Sequence, residues 1–434
     1  MQNITVFWHR RDLRIQDNAG LYHALKSQYP VLPIFIFDRN ILDKLDDKDD
    51  ARVEFIYKQI EELKKQYETK GSSLKVYYGK PEEVWKEILE KFSVKEVYCN
   101  RDYEPYAQQR DKAVFDFLAS KKISFKGFKD HVIFEKNEVL KDDGKPYTVY
   151  TPYSKKWKAK LNDFYLKSYP TDKYILNLYQ TNAYELISLE QMGFKSSGKV
   201  FPDKEPNEDI IKNYHATRDV PSIKGTTRLS VHLRFGTISI RELARKAKSL
   251  NEKYLNELIW RDFYQSILFH FPHTANKAFK PEYDKIQWLN NEKEFKAWCE
   301  GKTGYPIVDA GMRELNATGF MHNRVRMIVA SFLTKHLLID WRWGEAYFAK
   351  RLLDFELASN VGGWQWAAGC GVDAAPYFRV FNPALQTEKF DKDLKYIKQW
   401  VPEYGTLAYP KPIVDHKMAR ERVLKTYKAA LQNV

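Results

Sequence analysis

Short runs of β-branched and aromatic residues alternate with amphipathic stretches along the first 128 residues. The runs occupy residues 4–8, 31–37, 74–78, 96–99 and 124–128, and segments such as 51–67 and 81–92 carry apolar residues at helical spacing. A strand-helix-strand alternation of this kind predicts an α/β domain with a doubly wound parallel sheet. Ligands of such sheets bind at the carboxyl ends of the strands, where residues 8–11 and 101–103 are expected.

The pattern changes twice farther along the chain. Turn-forming and charged residues dominate residues 131–205, and helical periodicity without strand signals continues from about residue 206 onwards. We therefore predict an α/β domain over residues 1–130, an inter-domain linker over 131–205 and an all-α domain over 206–434. Within the linker, the basic run 155–160 is interpreted as the solvated end of a helix in preference to a direct nucleic-acid contact.

Composition narrows the classes of protein. The 434 residues include 71 Lys and Arg against 57 Asp and Glu, a net charge of +14 that favours a polyanionic partner or reflects solvated surface. Eleven Trp, 28 Tyr and 26 Phe bring the aromatic residues to 15%, more than the packing of one core requires. No apolar stretch has the form of a secretory signal or a bilayer span, so we expect a cytoplasmic protein without membrane contact.

The number and spacing of the cysteines argue against a disulfide and against a metal site. Cys99, Cys299 and Cys370 are far apart and form no CxxC motif. We expect no structural disulfide and no metal site.

One predicted helix carries a mixed polar and aromatic face. Glu257, Trp260, Arg261 and Tyr264 stand at positions i, i+3, i+4 and i+7, so they share one side of the helix. From spacing alone, a Glu–Arg helix pair beside a core Trp is the favoured interpretation, and a binding face is the alternative.

Three further segments could carry chemistry. Asn323, Arg326 and Met327 share a helix face beside Arg324, an arrangement that suits phosphate oxygens or a plain surface Arg pair. Residues 226–230 offer hydroxyl groups and backbone amides ahead of a helix, either as a phosphate cradle or as a helix cap. Residues 360–366 place two glycines before Trp364, which allows close approach of a flat group. With no GxGxxG motif, nucleophile triad or paired hydrolytic carboxylates, stacking and electron chemistry are favoured over hydrolysis.

Taken together, these segments resemble the photolyase/cryptochrome flavoprotein family, most closely its class I cyclobutane pyrimidine dimer photolyases. The resemblance covers essentially the whole chain, from residues 8–14 and 17–18 through 226–230, 256–264 and 321–327 to 360–366. It implies an N-terminal α/β domain for an antenna chromophore and a C-terminal helical domain that holds a U-shaped FAD. The implied reaction is a carbon–carbon lyase step in DNA repair. Light drives an electron from reduced FAD into a flipped-out dimer, two bonds split, and the electron returns.

The resemblance also implies roles for individual residues. Those that match the family's FAD contacts are Tyr214, Thr226, Thr227, Arg228, Leu229, Ser230, Tyr254, Glu257, Arg261, Asn323, Arg326, Asp354, Glu356 and Asn360. Among them, Asn360 is expected to face flavin N5, and Arg326 and Asp354 to form the ion pair beside the ring. The lesion pocket is expected to have aromatic walls and polar contacts, from Trp260, Trp366, Glu257, Tyr264, Asn323 and Met327. Trp364, Trp341 and Trp288 match the relay that reduces photoexcited flavin.

The chain departs from the family pattern at three places. Glu356 stands where the family has a second Asp, and Tyr254 stands where a Trp is common. Residues 103–108 lack the Asn-Glu pair of folate-binding members. We therefore expect any second chromophore to be a deazaflavin or a flavin rather than a folate.

Other functions predict different features. Relatives that repair the (6-4) photoproduct carry two catalytic His where this chain has His322 followed by Asn323. A signalling cryptochrome is disfavoured by Asn360 and by the short chain after residues 389–391. A basic nucleic-acid-binding module without flavin is the alternative from composition alone. The expected partner is UV-damaged DNA, bound by a monomer.

Overall fold

A computed structural model describes residues 2–432 of the chain. Five strands form one parallel sheet in the order β3-β2-β1-β4-β5. Their bounds are β1 Asn3–His9, β2 Val31–Asp38, β3 Lys75–Gly79, β4 Ser93–Asn100 and β5 Ser124–Phe128. All five predicted strands are confirmed, and so is the doubly wound α/β fold.

The central strands form where both faces of the sheet are covered. Every residue of β2 is buried, and β1 is buried after Asn3, so neither strand shows the polar-apolar alternation of a half-exposed sheet. The helices that follow these and the outer strands are α1 Ala19–Leu25, α2 Arg39–Leu42, α3 Ala51–Glu68, α4 Pro81–Lys91 and α5 Pro105–Ser120. Asn18 caps α1 by accepting a hydrogen bond from the Leu21 amide, and Asp50 caps α3 in the same way.

After residue 128, the part of the chain that the structure describes contains helices and no named strand. The middle of the chain holds α6 Tyr150–Lys160, α7 Asp163–Leu166, α8 Glu208–Thr217, α9 Ser230–Phe235 and α10 Ile240–Leu250. The remainder holds α11 Glu252–His270, α12 Glu292–Glu300, α13 Pro306–Thr318, α14 Asn323–Ser331, α15 Trp341–Arg351, α16 Leu357–Ala368, α17 Pro383–Phe390, α18 Lys395–Trp400 and α19 His416–Gln432. A π-helical turn, Phe332–His336, follows α14. No helix within residues 2–432 is long and apolar enough to span a bilayer.

The chain forms two compact units that interleave along the sequence. The first unit comprises residues 2–135, 161–206 and 229–246, and the second, called the helical unit below, comprises residues 136–160, 207–228 and 247–432. Within residues 131–205, residues 131–135 and 161–205 belong to the first unit, and residues 136–160 belong to the helical unit. The domain boundaries expected from the sequence stay predictions.

A buried charge network joins distant segments of the first unit. Arg14 and Arg241 each donate to the carboxylate of Asp130 at 2.7 Å, and Arg241 also donates to Asp17 at 2.9 Å. Although burial acts to raise it, the two guanidinium groups hold the pKa of Asp130 well below its usual range. The Arg14 and Asp17-Asn18 positions of the family motif therefore stabilise this unit from within.

A pair of histidines attaches α19 to the π-helical turn of the helical unit. Nε2 of His336 lies 2.8 Å from Nδ1 of His416, and Arg422 donates to the backbone oxygen of His336 at 2.5 Å. Burial, with smaller contributions from His416 and Arg422, lowers the pKa of His336 to about 3. Both rings are therefore neutral in the folded protein at neutral pH.

Lowering the pH from about 7.5 to about 5 should destabilise the protein through His336 by about 2 kcal/mol, because an unfolded histidine takes up a proton near pH 6.5 whereas the buried ring does not. Thermal melts across this range measure the effect. A His336→Phe variant, which keeps a ring stacked on Phe332, should lose less stability between the two pH values than the wild type. Equal losses in the two proteins would contradict this role.

Candidate functional site

The mixed face predicted for residues 256–264 lies on α11 of the helical unit. Asn251 caps this helix, and Leu258, Ile259 and Phe263 bury its other side. Glu257, Trp260, Arg261 and Tyr264 are partly exposed. Trp260 is therefore not a core residue, which contradicts the interpretation favoured from spacing alone.

Glu257 forms an ion pair with Arg218, which lies just after α8. Burial raises the pKa of Glu257 above its usual value, while the Arg218 guanidinium acts in the opposite direction and favours the charged form. Arg218 also lies over the ring of Tyr214 at 5.4 Å. Sequence reasoning missed Arg218, because an ion pair between residues so far apart leaves no periodic signal.

Arg261 and Arg326 have carboxylate partners around the start of α16. Arg261 donates to Glu356 at 3.2 Å, and Ser359 donates to the other oxygen of Glu356 at 3.0 Å. Arg326 donates to both oxygens of Asp354, at 2.9 and 3.2 Å. Glu356, which stands where the family has an Asp, therefore already accepts hydrogen bonds from the Arg261 guanidinium and the Ser359 hydroxyl.

Asn360 lies one turn farther along α16. Its Nδ2 donates to the backbone oxygen of Glu345 at 3.1 Å and to the Glu345 carboxylate at 2.9 Å. Because both partners are acceptors, the orientation of the amide is defined and Oδ1 points away from Glu345. Asn360 can therefore accept a hydrogen bond from an N–H group.

Two glycines of α16 differ in what surrounds them. A Cβ at Gly362 would lie 2.3 Å from the ring of Tyr264, so glycine is needed there for α11 and α16 to pack. A Cβ at Gly363 would meet nothing within 4 Å. A flat ring was predicted to approach both glycines. The ring of Tyr264 lies against Gly362, whereas Gly363 faces open space.

The 226–230 segment falls on both sides of a unit boundary. Thr226, Thr227 and Arg228 belong to the helical unit, whereas Leu229 and Ser230 belong to the first unit, at the start of α9. Thr227 shares a 2.8 Å hydrogen bond with the hydroxyl of Tyr254, whose ring contacts that of Tyr214 edge-on.

The start of α14 presents polar groups. His322 caps the helix: its Nδ1 accepts from the Arg324 amide at 3.1 Å, and burial lowers its pKa to about 4. Since Nδ1 is an acceptor, the neutral ring carries its proton on Nε2, which is buried and has no partner within residues 2–432. Asn323 is exposed, and Met327 accepts a 3.5 Å contact from Arg324, which also pairs with Asp219 at 2.7 Å.

The three tryptophans that were predicted to form a relay lie in or beside the core of the helical unit. Trp364 and Trp341 are buried, and Trp288 is partly exposed and packs against the same core. Trp364 contacts Phe348 at 5.0 Å and Trp298 at 6.0 Å, and Trp288 contacts Tyr427 at 6.0 Å. Trp366, expected as a pocket wall, is partly exposed on α16.

Two of these side chains offer hydrogen-bonding groups to a polar cofactor. Oδ1 of Asn360 points away from Glu345, and the buried Nε2–H of His322 has no partner within residues 2–432, so each is available to a ligand. Guanidinium groups at Arg261 and Arg326 suit carbonyl or phosphate oxygens. No group of three or more His, Cys, Asp or Glu suited to a metal ion occurs in the described part of the chain.

Comparison with known proteins gives the family. Residues 254–408 match the family model described as the FAD-binding domain of DNA photolyase, and residues 5–172 match the DNA photolyase model. The chain belongs to the DNA photolyase family. It is 37% identical to the deoxyribodipyrimidine photo-lyase of Synechococcus sp., over 97% of this chain and 96% of that protein.

Solved photolyase structures have the same fold. A bacterial class III photolyase from Agrobacterium tumefaciens aligns with a TM-score of 0.87 at 33% identity, over 100% of this chain and 98% of that one. An archaeal photolyase from Sulfolobus tokodaii, solved with two FAD molecules, aligns with a TM-score of 0.80 at 35% identity over the whole of both chains. Both are similar across the α/β and helical parts of this photolyase-family chain.

Replacing Gly344 with Ala should destabilise the helical unit by about 1–3 kcal/mol, because overpacking a filled core forces neighbouring side chains to move. The new Cβ would lie 2.1 Å from Cη2 of Trp364. Chemical denaturation of the flavin-free protein measures the loss. Gly363→Ala is the matched control, and its added methyl in open helix surface should raise stability by about 0.5–1 kcal/mol. Similar changes in both variants would contradict this packing.

Proposed function

We propose that this chain splits cyclobutane pyrimidine dimers in UV-damaged DNA by light-driven electron transfer, with FAD bound in the helical unit. The observation that carries the proposal is the partly exposed face of α11, which combines the carboxylate of Glu257 with the indole of Trp260. A carboxylate beside a flat ring suits the edge and the face of one pyrimidine.

Several of the residues proposed to hold FAD lie at or near the start of α16. Reduced FAD, when bound, would supply the electron that light drives into the lesion. Arg326 and Asp354 form an ion pair at 2.9 Å, and the Arg326 guanidinium would suit carbonyl oxygens of the ring. Asn360 would accept a hydrogen bond from the N5–H of the ring through Oδ1, and Tyr254, which is hydrogen-bonded to Thr227, would supply a flat surface. The remaining proposed FAD contacts within the helical unit are Tyr214, Thr226, Arg228, Arg261, Asn323 and Glu356. Leu229 and Ser230 belong to the first unit, and their role stays a prediction from the family resemblance.

The lesion pocket is proposed to take a dimer out of the base stack. Trp260 and Trp366 would recover the stacking that the extruded bases lose, a contribution of about 1–3 kcal/mol per base. Tyr264, Asn323 and Met327 would contact the lesion beside them.

Glu257 would hydrogen-bond the pyrimidine edge. Burial already raises the pKa of Glu257, and DNA that covered this residue would act in the same direction by removing water from the carboxyl. A protonated carboxyl can donate to a pyrimidine carbonyl oxygen and stabilise negative charge that develops there. Arg218 limits that rise, because its guanidinium favours the charged carboxylate.

A second chromophore and several broader properties belong to the same proposal. The Sulfolobus tokodaii relative contains two FAD molecules and implicates a novel light-harvesting cofactor. This similarity supports a flavin, rather than a folate, as the antenna of this chain, and a deazaflavin is the alternative. We also propose an antenna domain over residues 1–130, a linker over 131–205 and a catalytic domain over 206–434. We further propose that the protein is a cytoplasmic monomer and that it binds damaged DNA without membrane contact.

An absorption spectrum combined with a repair assay tests the function. Purified protein should absorb as a flavoprotein, and under blue light it should remove a cyclobutane dimer from an oligonucleotide. DNA affinity should fall steeply with salt, since phosphate neutralisation releases counterions. A flavin-free protein, or one that removes only a (6-4) lesion, would contradict the proposal.

Replacing Trp260 with Ala should weaken binding of a dimer-containing oligonucleotide by about tenfold, because one stacking surface is lost. Flavin content, read from absorbance, should stay at the wild-type value. Loss of flavin from the variant would instead show that Trp260 supports the cofactor.

Trp364→Phe should block light-driven reduction of the flavin, because a phenyl ring is far harder to oxidise than an indole. Repair by chemically reduced protein should proceed as in the wild type. Trp298→Phe is the matched control, since its indole contacts Trp364 but has no proposed place in the relay. Unimpaired photoreduction in Trp364→Phe would rule out the relay role.

A further inference from the structure

Tyr150, the first residue of α6, lies flat against the indole of Trp260. The two ring centroids are 3.7 Å apart, and the ring planes are within 3° of parallel. Aromatic pairs in proteins more often have centroids roughly 4.5 to 7 Å apart in offset or edge-on geometry. One face of Trp260 therefore stacks on the chain's own tyrosine.

Two hydrogen bonds connect Tyr150 to α11, the helix of Trp260, and to the segment that follows α16, the helix of Trp366. Its hydroxyl donates to the backbone oxygen of Asn256, one turn before Trp260 on α11, at 2.9 Å. Its backbone N–H donates to Oδ2 of Asp373 at 3.2 Å. Asp373 lies in the segment that follows α16, the helix of Trp366. Tyr150 thus contacts the Trp260 helix and is tied to the segment beyond Trp366.

Helix α6 is itself held against α11, so Tyr150 has a defined place. The indole of Trp157 is buried and donates through Nε1 to Asp262 at 3.0 Å. Tyr153 packs on Phe263 with ring centroids 5.1 Å apart. These contacts hold α6 at its middle and its carboxyl half, while the Asp373 carboxylate accepts from the amide at its start, where a negative charge is favourable.

We propose that Tyr150 is a positioning residue for lesion recognition: it fixes the plane of Trp260 so that the opposite face of the indole receives the flipped-out dimer. The inference rests on the proposed function and names a residue of the same site. An indole that is immobilised before binding loses less conformational entropy when the lesion stacks on it. The gain should appear as specific affinity for the lesion, not as general affinity for DNA.

If Tyr150 acted as a gate, removal of its ring would have the opposite effect on lesion binding. If Tyr150 merely occupied the place of a base and left when the lesion entered, removal of its ring would relieve competition and strengthen lesion binding. A positioning residue predicts weaker binding after the same change.

The test measures binding of one dimer-containing oligonucleotide and its undamaged counterpart to flavin-loaded full-length protein. Tyr150→Ala should weaken lesion binding about fivefold to tenfold, with undamaged-DNA affinity and flavin content unchanged. Tyr150→Phe keeps the stacked ring and should bind the lesion within about twofold of the wild type. Tyr147→Ala is a matched control on the same segment, since its ring contacts Tyr153 at 6.2 Å; it should not lower lesion affinity selectively.

A double-mutant cycle asks whether Tyr150 acts through Trp260. In a Trp260→Ala background, Tyr150→Ala should cause little further loss of lesion affinity, because the surface it positions is gone. Additive losses, tighter lesion binding by Tyr150→Ala, or equal losses for damaged and undamaged DNA would each overturn the inference.

Different results would overturn the proposed function and the role of Tyr150. A wild-type protein that binds both oligonucleotides equally would overturn the proposed function and, with it, the role of Tyr150. A wild-type preference for the lesion that persists unchanged in Tyr150→Ala would overturn the inference alone.

Discussion

Ion pairs between residues far apart in the sequence hold the polar face of α11 in place. Arg218 and Glu356 come from different segments, and each provides the opposite charge for a residue on that face, Glu257 or Arg261. The side chains of Arg261 and Glu356 are 10% and 6% exposed, and a buried charge without a partner costs several kcal/mol. The site therefore depends on the helices that deliver these partners as much as on α11 itself.

The same constraint governs the first unit. Asp130 would be a strongly unfavourable buried charge without Arg14 and Arg241, and these three residues come from segments separated by more than a hundred positions. In both units, charged residues that the sequence alone would place on the surface form ion pairs between distant segments. Part of the net positive charge thus serves folding rather than contact with a polyanion.

Aromatic residues divide in a similar way. Some, such as Trp157 and Trp298, are buried and use their indole N–H to bond Asp262 and the backbone of Val329. Trp260 and Trp366 stay partly exposed, and under the proposed function this exposure would leave their rings accessible to a base. The aromatic excess therefore includes both core residues and partly exposed residues.

The local periodicity of the sequence was sufficient to predict the strands of the sheet and the helical second half. All five strands and the helical second half follow from the hydrophobic pattern, because side-chain direction repeats with period 2 in a strand and 3.6 in a helix. The shared face of Glu257, Trp260, Arg261 and Tyr264 follows from the same spacing. The family motifs added the prediction that this face meets a pyrimidine dimer.

Only the tertiary structure decided the partners of that face. Arg218, Glu345 and Tyr150 contact Glu257, Asn360 and Trp260 across chain separations that carry no periodic signal. It also separated Gly362, packed on Tyr264, from Gly363, which faces open space. Sequence spacing specifies which side of an element a residue occupies, whereas pairing and packing depend on which other element folds against that side.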